Sequence, residues 1–305
     1  MTEQKLIIQS IGQTPLIRLN NINIALQERG VQVLAKAEHL NPSGSVKDRA
    51  AKAMINSGIR TGELIKGKSI IDGTSGNTGI AYAMIGAALG YQVTLCLPAN
   101  ANQERKQILR AYGATIIESD PLEGSDGAQL MAKQIAEEHP ERYFYPDQYN
   151  NQENWLIHYH TTAIEIWEQS NKCVTHFVAG MGTSGTFIGT SRKLKELNPS
   201  LQAIAMQPDS PIHGLEGMKH MDTTLKPGIY DADLADDVIE IDTDDAIDTS
   251  LRLARNEGLF VGISAGGNVK AALKVAETAP SGSVIVTILC DSGMRYLSED
   301  IWERG

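Results

Sequence analysis

Asn41-Pro42-Ser43-Gly44-Ser45-Val46-Lys47-Asp48-Arg49 lies between a strand-like apolar run, residues 31–37, and a helical pattern over residues 50–55. Pro42 and Gly44 punctuate a turn, and Ser45 with Asp48 three residues on has the spacing of a capping box. The stretch is therefore expected to run strand, turn, helix, with Lys47 in the first helical turn. That turn carries the positive end of the helix dipole, where a neutral amine is favoured over a cation. A neutral amine is what a Schiff-base lysine must supply. A solvated surface lysine is the plain alternative, because lysine is seldom fully buried. The remainder of the chain has to decide between the two.

At 305 residues the chain can build two lobes or one large α/β domain. Its composition is that of a soluble globular protein, 42% apolar and 21% charged. No run approaches the ~18 apolar residues that span a membrane. Met1-Thr2-Glu3-Gln4-Lys5 lacks the charged, apolar, small order of a signal peptide, so a cytoplasmic protein is expected. Cys96, Cys173 and Cys290 stand far apart, with no CxxC, which indicates neither a disulfide framework nor a zinc site. The net charge of −10 argues against nucleic acid or an anionic membrane as partner. Small anions stay open as ligands, because backbone donors bind them whatever the net charge. Of the seven histidines only His158 and His160 are close, and no Cys, Asp or Glu joins them at ligand spacing. They are expected to be core or solvated, and no metal is expected.

Short β-branched runs alternate with helix-length segments almost from end to end. Strands are predicted over 69–72, 92–97, 114–117, 143–145, 174–179, 201–206, 238–241 and 283–289. Helices are predicted over 80–89, 102–112, 125–139, 153–169, 186–197, 243–257 and 267–276, with Pro140 stopping the third. This alternation means βαβ units and parallel sheets. The polar, turn-rich segment 146–151 is the best candidate for a lobe boundary. Two α/β lobes would bind ligand near strand ends, the usual place in open sheets. The irregular stretch 208–236 is long for a connection, and long loops are often functional.

Two glycine turns each follow a strand and open a helix, and a third glycine-rich segment also precedes a helix. Gly180-Met181-Gly182-Thr183-Ser184-Gly185-Thr186 combines close backbone approach, helix-start N–H groups and hydroxyls, which together make an anion cradle. It also fits the dinucleotide pattern GxGxxG, with Asp209 standing about 20 residues on as a ribose contact would. A dinucleotide fold carries that pattern on the first strand of its sheet, whereas here it falls in mid-chain, and the hydroxyls suit a terminal phosphate better. A tight turn without ligand is the plain alternative. Thr74-Ser75-Gly76-Asn77-Thr78-Gly79 is dense in hydroxyl and amide groups at a helix start, which suits a carboxylate or simply caps the helix. In Gly262-Ile263-Ser264-Ala265-Gly266-Gly267, Ser264 is either a cap or a ligand contact.

Taken in this order, the lysine loop and the three turns resemble the pyridoxal-phosphate enzymes of fold type II, and among them the cysteine synthases, most of all the B-type enzyme and its phosphoserine-using relatives. The resemblance runs from Ile11-Gly12-Gln13-Thr14-Pro15-Leu16 to Arg295-Tyr296-Leu297-Ser298. It implies two three-layer α/β/α lobes with mostly parallel twisted sheets, of the tryptophan synthase β type. Residues 38–147 would be a small, mobile substrate-binding lobe, and 1–37 with 148–305 a large cofactor-binding lobe. It implies pyridoxal 5′-phosphate as cofactor and a homodimer. Lys47 would form the internal aldimine and later serve as acid and base at Cα. Asn77 would bond the phenolic oxygen, and Gly182, Thr183, Ser184, Gly185 and Thr186 the phosphate. Ser264 would face the pyridine nitrogen, while Thr74, Ser75, Thr78 and Gln148 would take the substrate carboxylate.

The implied reaction is a ping-pong β-replacement. An O-activated serine, O-acetyl-L-serine or O-phospho-L-serine, loses its leaving group to give an aminoacrylate, and sulfide or another sulfur donor adds to make L-cysteine. A neutral serine at the ring nitrogen suits expulsion of a β-leaving group. Two departures from the family pattern stand out. Ala265 replaces a hydroxyl residue, and the segment 211–220 differs from the acetylserine-specific form. Lys219 or His220 is accordingly expected to meet the leaving group, which would admit O-phosphoserine; a solvated Lys-His pair is the alternative. The competing functions are cystathionine β-synthase or serine/threonine dehydratase within the superfamily, a nicotinamide oxidoreductase using Gly180 to Gly185, and a non-enzymatic binding module.

Overall fold

The computed structural model describes residues 6–74 and 76–304. The regular elements follow in chain order as β1 (Leu16–Arg18), α1 (Ile24–Glu28), β2 (Gln32–Lys36), α2 (Lys47–Thr61), β3 (Ser69–Gly73), α3 (Asn77–Leu89), β4 (Gln92–Pro98), α4 (Gln103–Ala111), β5 (Thr115–Ser119) and α5 (Gly124–Glu138). They continue as β6 (Tyr143–Phe144), α6 (Glu153–Ile157), α7 (Ala163–Gln169), β7 (His176–Gly180), α8 (Gly185–Leu197), β8 (Gln202–Pro208), β9 (Asp237–Ile241), α9 (Thr243–Arg252), α10 (Ile263–Thr278) and β10 (Val284–Ile288). The chain forms two compact units. Among the described residues, one comprises 6–11 with 41–154, and the other 12–40 with 155–304.

The first unit holds a four-stranded sheet in the order β5-β4-β3-β6, parallel throughout. Alternation along its strands sorts two apolar layers. Ile70, Val93, Leu95 and Leu97 pack with Met54 and Ile55 of α2, with α3 and with Leu109 of α4. Ile71 and Cys96 point the other way, toward Ala128 and Ala132 of α5. Helix α3 is buried along most of its length, which is why its sequence is alanine-rich without a polar stripe. Each fully buried Met54 or Ile55 contributes about 1.5–3 kcal/mol.

The second unit holds a six-stranded sheet, β1-β2-β10-β7-β8-β9. All its pairings are parallel except β1 with β2. Val33, Val178, Ile204 and Ile285 pack with α9 and α10 on one face. On the other, Phe177 stacks on Phe187 of α8 with ring centroids 6.4 Å apart. The expected α/β/α layering and parallel pairing are thus both present. Two predicted helices are interrupted: His158–Thr162 and Leu253–Glu257 are π-helical. The first lies against α8, where an added Cβ on Gly189 would fall 2.9 Å from Tyr159 N and from the His158 side chain. Lys36, at the end of β2, is fully buried and pairs with Glu165 at 2.7 Å and Gln169 at 2.8 Å, anchoring the Gly12–Pro15 turn through Thr14 O.

Asp72 of β3 is a fully buried acid inside the first unit. One carboxylate oxygen accepts from Gly73 N at 2.7 Å, and the other has no hydrogen-bond partner among the described residues. Burial pushes its pKa up from 3.8 to about 7, aided by the charge of Asp147 and only partly offset by Gly73 N–H and the nearby Tyr82 hydroxyl. The same burial, with Asp72 adding to it, pushes the Cys96 thiol up to about 11. The folded state holds the Asp72 proton more tightly than the unfolded chain does. The associated stability is therefore fully present below about pH 4 and is lost as pH rises through about 7. Asp72→Asn should gain stability over wild type across that window, by up to about 4 kcal/mol at the limit. Urea melts at pH 4, 6 and 8 check this; a difference constant with pH contradicts it.

Candidate active site

The lysine loop belongs to the first unit. Gly44 adopts φ +88° and donates its N–H to Asn41 O at 2.7 Å, a left-handed conformation that glycine takes without strain. Lys47 is the first residue of α2, as the turn chemistry predicts, and its side chain is half-buried. The capping box is not formed. The N-cap is Val46, Ser45 Oγ accepts from Lys47 N at 3.3 Å, and the Asp48 carboxylate turns back to Ser43, accepting from its N–H at 2.7 Å and from its hydroxyl. Asp48 is fully buried, and Ser43 offers two donors where a box would have offered one.

The turn after β3 is built for close approach. Thr74 N donates to Cys96 O at 3.0 Å, and Thr74 Oγ1 accepts from Gly76 N at 3.2 Å. An added Cβ on Gly79 would meet both Thr74 O and Leu95 at 3.0 Å. The N-cap of α3 is Gly76, which has no side chain to cap the helix start that carries Asn77 and Thr78. Buried Thr78 donates its hydroxyl to Gln148 Oε1 at 2.9 Å, and Asn154 Nδ2 holds Gln148 O at 2.6 Å. Two of the predicted carboxylate ligands, 70 residues apart, are thus directly bonded. Ser75 lies outside the described residues.

The phosphate turn and Ser264 belong to the second unit. Met181 N continues the β7–β8 ladder to Met206 O at 3.1 Å, and Lys219 N donates to Met181 O at 2.8 Å. Cβ atoms on Gly180 and Gly182 would collide with Met218 at 2.6 Å and with Gly217 O at 2.0 Å. The backbone at Gly217 makes Gly182 a requirement of the protein's own packing, whereas the neighbours of Gly180 are the flexible ends of methionine side chains. Ser184 is left-handed at φ +70° and forms the N-cap of α8 without a side-chain bond to it. Its buried hydroxyl has no hydrogen-bond partner among the described residues. An orphaned hydroxyl, an uncapped helix start and flanking Thr183 and Thr186 fit a phosphate group.

Thr186 Oγ1 lies 3.3 Å from His158 Nε2, whose Nδ1 is 2.8 Å from Thr162 Oγ1. His158 is a core histidine, but one whose ring reaches the phosphate turn; the π-turn that aims it leaves no trace in the sequence pattern. Ser264 is buried in the first turn of α10, whose N-cap is Gly262. An added Cβ at Gly262 would meet Asp291 Oδ1 at 2.1 Å. Lys219 Nζ donates to Thr224 Oγ1 at 3.0 Å, and His220 Nδ1 lies 3.0 Å from Thr223 Oγ1. Asn268, which sequence reasoning passed over, bonds Gly180 N at 2.7 Å. A polar residue one turn after Ser264, in a helix otherwise rich in alanine and valine, was the available signal.

Comparison with known proteins agrees with this geometry. The family described as pyridoxal-phosphate dependent enzyme matches residues 7–291. A cysteine synthase of Aquifex aeolicus is 46% identical over 96% of this chain and 90% of its own length. Cysteine synthase B of Salmonella typhimurium is 42% identical over 96% of this chain and 95% of its own. The crystal structure of a cysteine synthase from Entamoeba histolytica superposes with a TM-score of 0.93 at 35% identity, covering 99% of this chain and 92% of that one. These likenesses show that the chain belongs to the pyridoxal-phosphate dependent enzymes, in their cysteine synthase family.

Proposed function

We propose that the protein forms L-cysteine by replacing the acetate of O-acetyl-L-serine with sulfide. The observation that carries this is the Gly182–Thr186 turn, with its orphaned Ser184 hydroxyl at an uncapped helix start, in a chain whose relatives are named cysteine synthases. When bound, pyridoxal phosphate supplies the sink for the electrons of the substrate Cα–H bond. Gly182, Thr183, Ser184, Gly185 and Thr186 would hold its phosphate, Asn77 its phenolic oxygen and Ser264 its ring nitrogen. A neutral hydroxyl at that nitrogen avoids fixing a full positive charge there, which favours loss of a β-substituent.

Lys47 is the point of covalent attachment. Lys47 Nζ would serve as the base that takes the proton at Cα while acetate leaves Cβ with the C–O electron pair. Sulfide then bonds to Cβ, and Lys47 returns the proton to Cα. Thr74, Ser75, Thr78 and Gln148 orient the substrate through its carboxylate; the Thr78–Gln148 bond supports their acting together. Residues 38–147 serve as the mobile substrate-binding lobe, and 1–37 with 148–305 as the cofactor-binding lobe. The family resemblance supports a cytoplasmic homodimer, and among the described residues no helix is long and apolar enough to cross a membrane.

The decisive assay is cysteine formation from O-acetylserine and sulfide, run beside cystathionine formation from serine and homocysteine. Cysteine should dominate, and Lys47→Ala should lose at least about 10³-fold in rate. Dominant cystathionine or pyruvate, or an active Lys47→Ala, contradicts the assignment.

Lys219 is assigned to the leaving group of a second donor, O-phosphoserine. Its backbone is bonded to the phosphate turn at Met181 O, which supports that place. Lys219→Ala should slow turnover of O-phosphoserine about 10-fold or more, the worth of one charged hydrogen bond, and spare O-acetylserine. Equal rates with O-phosphoserine would remove the assignment.

A further inference from the structure

The six-stranded sheet opens at its centre. From β7 the chain steps outward through β8 to β9, then returns by α10 to place β10 on the other side of β7. The gap between β7 and β10 is therefore the topological switch point, where open α/β sheets bind ligands beyond their carboxyl ends. Pairing of β7 with β10 ends at Val178 and Thr287. Outward pairing persists beyond that on both sides, β7 with β8 to Gly180 and β10 with β2 to Ile288. The two central strands thus part while each stays held by its outer neighbour.

The side chain of Asn268 fills the place where they part. It is 1% exposed. Its Oδ1 accepts from Gly180 N at 2.7 Å, while its Nδ2 donates to Ile288 O at 2.9 Å and lies 3.2 Å from Cys290 Sγ. A carboxamide carries one acceptor and a donor in the geometry of a peptide group, so it substitutes for the missing rung between the strands. Thr287 Oγ1 ties the level below, donating to Val178 O at 2.9 Å and to Asn268 O at 3.3 Å. Gly180 opens the phosphate turn, and Asn268 stands four residues after Ser264 on the same helix face.

We propose that Asn268 is a positioning residue for the cofactor: its carboxamide bridges β7 and β10 and fixes the Gly180–Thr186 turn against the helix start that carries Ser264. This rests on the reading that pyridoxal phosphate binds there. The phosphate and ring-nitrogen contacts sit on different elements, and only their mutual spacing lets one rigid molecule satisfy both. Errors of about 1 Å in such placements cost on the order of 100-fold. Neither the phosphate turn nor Ser264 can set that spacing alone.

The test compares Asn268→Ala with Thr287→Val, which removes bonds between the same elements one level deeper. Each protein is stripped of pyridoxal phosphate and retitrated with it. The readouts are the dissociation constant, the ³¹P resonance of the bound phosphate and the melting midpoint of the stripped protein. Asn268→Ala should weaken binding about 10- to 100-fold and shift the ³¹P resonance. Thr287→Val should lower the stripped protein's midpoint while leaving affinity and resonance as in wild type. Asn268→Ala with wild-type affinity and resonance overturns the proposal, whatever its midpoint. If Asn268→Ala does not fold, Asn268→Asp decides. A protonated carboxyl restores both donor and acceptor, so its affinity relative to wild type should recover as pH falls; a ratio flat with pH overturns the bridge. Wild-type protein that takes up no pyridoxal phosphate overturns the underlying reading, and the inference with it.

Discussion

A parallel strand has to be followed by a crossover, and in both units most crossovers carry a helix starting a few residues past the strand's end, the irregular link from β8 to β9 excepted. β3 gives way to α3 and β7 to α8 in this manner. Parallel pairing therefore gathers helix N-termini, with their unpaired N–H groups, along one edge of each sheet. Whether those groups are spent inside the protein is settled by the N-cap. α4 and α9 close theirs with Asn102 and Asp242, whereas α3, α8 and α10 begin at Gly76, Ser184 and Gly262 with no side-chain cap. These three starts lie at turns that carry candidate site residues, whereas α5 also begins without a side-chain cap and carries none. Gly182 and Gly262, each facing another part of the chain at about 2 Å from where a Cβ would be, let those turns pack tightly enough to present backbone to a ligand.

Much of this was legible before any coordinates. Long β-branched runs gave all strands but β1 to within a residue or two, the central ones because burial leaves a run of apolar residues. β1 and α1 escaped, being three and five residues long and below the length at which a period can be recognised. The two π-helical segments escaped as well, since one extra residue in a turn does not disturb an amphipathic stripe. The capping box at Ser45 and Asp48 failed for an instructive reason. Local spacing makes a box possible, but a buried carboxylate takes the richest set of donors within reach, and Ser43 provides them.

Candidate site residues were visible where they sit in compact motifs and invisible where they act across the fold. Lys47, Asn77 and the Gly182–Thr186 turn are each local in sequence. The link from Thr78 to Gln148 spans 70 residues, that from His158 to Thr186 spans 28, and that from Asn268 to Gly180 spans 88. No periodicity reports such pairs; they exist because parallel topology brings distant strand ends to one edge. Asp72 belongs with them, a single acid in an apolar strand whose perturbation depends on what β4 and α3 place around it.

The account stands on the covalent role of Lys47, and the most direct measurement is borohydride reduction of the coloured protein followed by peptide mass mapping. The near-visible absorbance should bleach, and the pyridoxyl group should be found on the peptide that contains Lys47 and on no other lysine. A colourless protein that takes up no pyridoxal phosphate, or reduction that marks a different lysine, would contradict it.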